Sequence, residues 1–90
     1  SEGTISVVQG PLGVFDLVVA NIYSKVILEV AQALVANLSR QGRLVVSGIM
    51  TERSKEVERC FEDYGCAVLK RCIDGDWAML VVGKVEYLGA

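Results

Sequence analysis

Ninety residues with a formal net charge of −2 and a sequence pI near 5.0 bound the chain to one small domain and give it no electrostatic footprint for a nucleic-acid backbone. At 52% hydrophobic and 22% charged, with a mean hydropathy of +0.43, it is too apolar for disorder and holds more apolar surface than so short a chain covers easily. Asp16, Asn21, Ser47 and Gly48 interrupt every apolar run short of the roughly 18 residues that span a membrane, and Ser1-Glu2-Gly3 does not read as a signal peptide.

In chain order, the β-branched stretch Ile5-Ser6-Val7-Val8 predicts a short strand, and Gly10-Pro11-Leu12-Gly13 a turn or loop. Residues 15–22, FDLVVANI, are continuously apolar rather than alternating, the pattern of a central parallel strand buried on both faces. From Ser24 to Leu38 the apolar residues Ile27, Val30, Ala31, Leu34 and Leu38 recur at threes and fours, predicting an amphipathic helix with Ser24 as its N-cap. SRQG, residues 39–42, is expected to end that helix, with Gly42 supplying a positive φ, and RLVVSG, residues 43–48, to form a second strand.

Thr51 or Ser54 is expected to cap a second helix with Val57, Cys60, Phe61 and Tyr64 on one face and Gly65 at the left-handed C-terminal position. Strand, helix, strand and helix then imply two parallel neighbours joined by a right-handed crossover. Residues 66–73 and 76–85 flank Asp74-Gly75, which predicts an antiparallel hairpin with a tight turn.

Histidine is absent, and Cys60, Cys66 and Cys72 stand six apart, a spacing that fits neither a redox pair nor a zinc site. On one strand face Cys66 and Cys72 would lie about 20 Å apart, too far to bridge, so the three read as small buried thiols and no metal is expected. The most informative polar residue is Asn21, at the carboxyl end of an apolar strand, where open parallel sheets place their ligand crevice. An asparagine there either turns its carboxamide to a ligand or caps the turn that follows. Ser47, Gly48 and Ile49 end the next strand, where small residues admit a substrate backbone or make a tight turn; Tyr23 either lines the entrance or packs. Asp16 starts its strand and reads as structural, Trp77 as core or subunit packing ahead of a substrate platform, and the charges from Glu52 to Arg59 as a solvated helix face.

Four blocks, FDLVVANIYSKV, LSRQGRLVVSGIM, EDYGCAV and DGDWAMLVVGK, resemble consecutive segments of the PrmA-type ribosomal protein methyltransferases. The resemblance runs over residues 14–84, and its most specific parts are Ala-Asn-Ile followed by Tyr23, Ser-Gly-Ile at 47–49, and Trp77 after an acidic residue. It implies half of a Rossmann-like methyltransferase sheet in an α/β fold, parallel β-α-β-α followed by an antiparallel C-terminal β-hairpin. Residues 1–90 would be a single partial domain, the substrate-side half, with 1–13 an orphan strand and loop. The family's glycine-rich turn and ribose-holding acidic residue do not occur in this chain, and residues 1–10 match a strand that the family places beyond its first one. They are expected to pair somewhere new or to fray.

The resemblance also implies S-adenosylmethionine as methyl donor and an amine of a large-subunit ribosomal protein as acceptor, in the cytoplasm. Asn21 becomes the residue that orients the amine beside the cofactor, with Asn21, Ile22, Tyr23, Ser47, Gly48 and Ile49 along the substrate. The isolated chain is expected to be inactive. Two other readings compete: a non-catalytic α/β module that forms a homodimer through an exposed sheet edge, and a nucleic-acid base methyltransferase, which the lack of a proline after Asn21 disfavours.

Overall fold

Apolar side chains at alternate positions of three strands meet apolar stripes of two helices, and this one-sided burial organises the chain. The computed structural model describes residues 3–9, 15–22 and 24–85. Its elements are β1 (Gly3–Gln9), β2 (Phe15–Ile22), α1 (Ser24–Ala36), β3 (Leu38–Met50), a 3₁₀ turn (Thr51–Arg53), α2 (Ser54–Asp63), β4 (Cys66–Asp74) and β5 (Trp77–Lys84). They form one five-stranded sheet in the order β1-β2-β3-β5-β4. Strands β2 and β3 are parallel, as the βα crossover between them requires, and the other pairings are antiparallel. The expected β-α-β-α unit and closing hairpin are both present.

The core takes Val18 and Ala20 from β2, Leu44, Val46 and Ile49 from β3, and Ala78, Leu80 and Val82 from β5. Against them lie Ile27, Ala31 and Val35, four residues apart on α1, and Val57 and Phe61, four apart on α2. Each Val, Leu, Ile or Phe among them contributes about 1.5–3 kcal/mol when fully buried, and each alanine less. The two helices also pack against each other, so both cover the same face. The other face carries no helix among the described residues, and Leu17 and Val19 on it are 37% and 36% exposed. Strand β2 is therefore central in the sheet but buried on one face, not two as its unbroken apolar run suggested.

Residues 3–9 do pair: β1 runs antiparallel along the free edge of β2, from Gly3 beside Ile22 to Gln9 beside Phe15. Helix α1 stops at Ala36, where Asn37 turns back through its backbone N–H and its side-chain Nδ2–H to the Ala33 carbonyl. Leu38 to Gly42 are extended and bulge out of β3, so Gly42 neither ends the helix nor has a positive φ.

The second helix also begins differently from expectation. Thr51 Oγ1 donates to the Gly75 carbonyl at 2.9 Å, and Ser54 Oγ donates back to the Thr51 carbonyl at 2.9 Å, so neither hydroxyl caps a helix N–H. At the far end Gly65, with φ 85°, takes the expected left-handed position, and its carbonyl accepts from Val85 N–H.

The hairpin loop is Gly75-Asp76 rather than Asp74-Gly75, because Asp74 pairs with Trp77. Gly75 has φ 59° and Asp76 does not share it, the φ pattern of a type II′ turn. An extra residue at Leu69 breaks the β4–β5 register, and every side chain after it changes face. Cys66 and Cys72 therefore lie on opposite faces, not on one, and all three cysteines are free thiols. Arg71 is turned to the helix side, where its guanidinium holds the buried Glu58 carboxylate with two hydrogen bonds, one of 2.7 Å from Nε and one from Nη2. Glu58 is thus not part of a solvated face. The hydrogen bond and charge of Glu58 push the Arg71 guanidinium still further above its ordinary range.

Phe61 fills the space between α2 and the sheet without exposure, so Phe61→Ala is expected to cost about 3–5 kcal/mol, read as a lower urea midpoint. Gly65→Ala meets no atom within 4 Å but must hold φ 85°, and its loss should be about 1–2 kcal/mol from strain alone. Burial pushes the Cys66 thiol above its ordinary 9.0, with Lys84 opposing, and burial with Asp63 and Glu56 does the same to Cys60. Below the ordinary value both states keep these protons; above it the unfolded chain ionises first, so stability should fall as pH rises from about 9 towards the folded values. Urea midpoints across that alkaline range check this, and Cys66→Ala should make the decline shallower.

Candidate functional site

Parallel strands β2 and β3 end side by side, and their last paired residues are Asn21 and Ser47. Alternation from the buried Val18, Ala20 and Val46 puts both on the face away from the helices, where Asn21 is exposed and Ser47 half-buried. This is the carboxyl edge of the parallel pair, where an open α/β sheet presents its crevice. The carboxamide offers one carbonyl acceptor and two N–H donors, and the serine a hydroxyl.

Beyond Ser47 the strand bulges. Three steps of β3 from Val46 to Ile49 face two steps of β5 from Leu80 to Ala78, and Gly48 absorbs the difference with φ 79°. The bulge has two consequences. Ile49 turns into the core with no exposure, so only its backbone is available to a ligand. Met50 then pairs with Trp77 on the helix-free face, where the two side chains are 43% and 52% exposed. A tryptophan half in solvent is not packed in this chain's own core, which leaves subunit packing and a substrate platform of the roles expected for it.

Because β5 runs antiparallel to β3, the hairpin tip lies at this same edge. Thr51 ties it there twice, by its hydroxyl to the Gly75 carbonyl and by its backbone N–H to the Asp76 carbonyl at 2.7 Å. Glu52, Asp74 and Asp76 are exposed around this tip, with the exposed Arg53 turned to Glu56, so the tip carries acidic groups of the sign that suits a cation. Asp16 is the second residue of β2 and stands at the opposite end.

The expected residues thus come together in part. Asn21, Ser47 and Gly48 share the edge; Ile22 ends β2 beside them, and Tyr23 lies outside the described residues. Met50 and Thr51 were missed, and no local signal marks them, since only the pairing of β3 with β5 brings them to the edge. Among the described residues no group of three or more His, Cys, Asp or Glu is placed to hold a metal, and no helix is long and apolar enough to cross a membrane. A wide groove of about 470 Å³, lined by Val35, Ala36, Tyr64, Gly65, Lys84 and Val85, opens at the other end of the sheet.

Comparison with known proteins agrees with this fold. The ribosomal protein L11 methyltransferase from Desulforapulum autotrophicum is 37% identical over 71 residues, 79% of this chain and 23% of that protein. The one from Desulfitobacterium hafniense is 40% identical over 81 residues, 84% of this chain and 26% of that protein. The crystal structure of a ribosomal protein L11 methylase from Lactobacillus delbrueckii subsp. bulgaricus matches 79% of this chain and 37% of its own with a TM-score of 0.75 at 25% identity. The chain spans about a quarter of the length of the curated relatives it matches. Since the family model for ribosomal protein L11 methyltransferase (PrmA) matches residues 4–85, the chain belongs to that family.

Proposed function

We propose that the chain is the substrate-side part of an S-adenosylmethionine-dependent protein methyltransferase, a single partial domain acting on an amine of a ribosomal protein in the cytoplasm. The observation that carries this reading is the pairing of Asn21 with Ser47 on the helix-free face at the carboxyl edge of two parallel strands, in a chain of this family. S-adenosylmethionine, when bound, supplies a methyl group made electrophilic by its sulfonium. The residues present fit one wall of such a site. No glycine stands between β2 and α1 to let a nucleoside approach the backbone, so the chain offers a wall and not a cradle.

Methyl acceptance requires a neutral amine, and a lysine with pKa about 10.4 must first lose a proton. Asn21 is too weak a base to take it. What its carbonyl can do is accept an N–H of the neutral amine and hold the lone pair in one direction, which is positioning rather than proton transfer. The choice of amide over carboxylate follows from the same requirement. An aspartate at 21 would favour the ammonium form and withhold the nucleophile, whereas a neutral acceptor binds the amine without stabilising its charge. The acidic rim at Glu52, Asp74 and Asp76 attracts the cationic side chain from outside, and the deprotonated form reacts inside.

Two measurements test this. Calorimetry of the 90-residue chain with S-adenosylmethionine should give no micromolar binding; such binding would mean that a wall alone suffices and would sink the partial-domain reading. In a chimera with residues 4–85 replacing the matching segment of the Lactobacillus enzyme, Asn21→Ala should lower kcat for ribosomal protein methylation by about 100-fold. Asn21→Asp should lose activity at neutral pH and regain part of it as pH rises. An Asn21→Ala chimera as fast as its parent would remove Asn21 from the reaction.

A further inference from the structure

Trp77 and Met50 stand at the crevice edge with about half their surfaces in solvent, so neither is oriented by core packing. Something else must hold them. Strand β5 enters the sheet at Trp77, directly after the two-residue loop Gly75-Asp76, and Met50 is its register partner on β3. The residue after Met50 is Thr51, whose side-chain hydroxyl and backbone N–H donate to the two successive loop carbonyls, Gly75 at 2.9 Å and Asp76 at 2.7 Å. The Thr51 carbonyl is itself engaged, accepting from Ser54 Oγ at 2.9 Å and from the Ser54 backbone N–H, so Thr51 is braced against the start of α2.

From this arrangement we infer that Thr51 is a positioning residue: its hydroxyl fixes the hairpin tip to the end of β3 and thereby sets Trp77 beside Met50 on the face shared by Asn21 and Ser47. Thr51 contacts no substrate in this role. It acts through the loop, and the loop through the tryptophan that follows it. The inference rests on the carboxyl edge being the substrate crevice, but its test uses no substrate, so the two can fail separately.

Trp77 is the single tryptophan of the chain, and its fluorescence reports on the tip directly. In the 90-residue protein, Thr51→Val removes the hydroxyl and keeps the shape. It should lower Trp77 anisotropy and raise its quenching by acrylamide, while far-ultraviolet circular dichroism stays as in the parent. Thr51→Ser retains the hydroxyl and should behave as the parent in both readouts. Val57→Ala, which weakens the core under α2, should lower the urea midpoint and leave Trp77 anisotropy in the folded state unchanged. Unchanged anisotropy and quenching in Thr51→Val would overturn the inference, as would a Thr51→Ser variant that loosens Trp77 equally. A Val57→Ala variant that loosens Trp77 as much as Thr51→Val would also overturn it, because the effect would then be general destabilisation. The Asn21→Ala chimera reads the crevice itself and leaves these outcomes untouched.

Discussion

Burial on one face of the sheet is the constraint on which the rest depends. Val18, Ala20, Leu44, Val46, Leu80 and Val82 all point to the side where α1 and α2 lie, and Phe61 closes the core between α2 and the strands. A strand has only two faces, so each residue between these buried ones is sent to the other side. Asn21 and Ser47 are on the helix-free face for that reason. The packing that stabilises the fold and the exposure that makes the edge usable are two results of one alternation.

Two bulges then adjust what strict alternation would give. At Gly48 the extra residue lets both Val46 and Ile49 enter the core, which leaves Met50 free to meet Trp77 at the edge. At Leu69 the extra residue sends Arg71 to the helix side, where it neutralises a carboxylate that α2 carries inward. Removing that partner would leave the largely buried Glu58 carboxylate without its two hydrogen bonds, although the Arg71 side of the pair is open to solvent. Gly83 shows how close the packing on the opposite face becomes, since a Cβ there would lie 3.2 Å from both Arg43 Nη1 and Leu69 Cδ1.

Membership of the L11 methyltransferase family gives this geometry its chemical meaning. An amide at a strand end is unremarkable as a turn residue, but its place beside a serine on a neighbouring parallel strand, with a hairpin tip carrying acidic residues at the same edge, supports the amine-orienting role proposed for it. On the proposed reading the chain brings the orienting group and the rim. It contains neither a glycine-rich turn between β2 and α1 nor a histidine that could serve as a base, and on that reading its contribution is orientation.

Much of this was legible in the residues themselves. The 3.6-residue period of α1, the apolar run of β2, Gly65 as a left-handed stop and a hairpin near Gly75 are local properties, because propensity, periodicity and turn chemistry act within a few residues. Asn21 as the residue of interest followed from its place at the end of a strand. What the sequence could not determine depends on pairing across distance. The end of α1 at Ala36 was set by Asn37 and by β3 starting early; the hydroxyl of Thr51 went to a loop 24 residues away rather than to a helix cap. The faces of Cys72 and Arg71 followed a bulge that only a partner strand defines. Local chemistry chose the elements and the amide; tertiary packing chose which face each side chain took, since register and bulges exist only between strands.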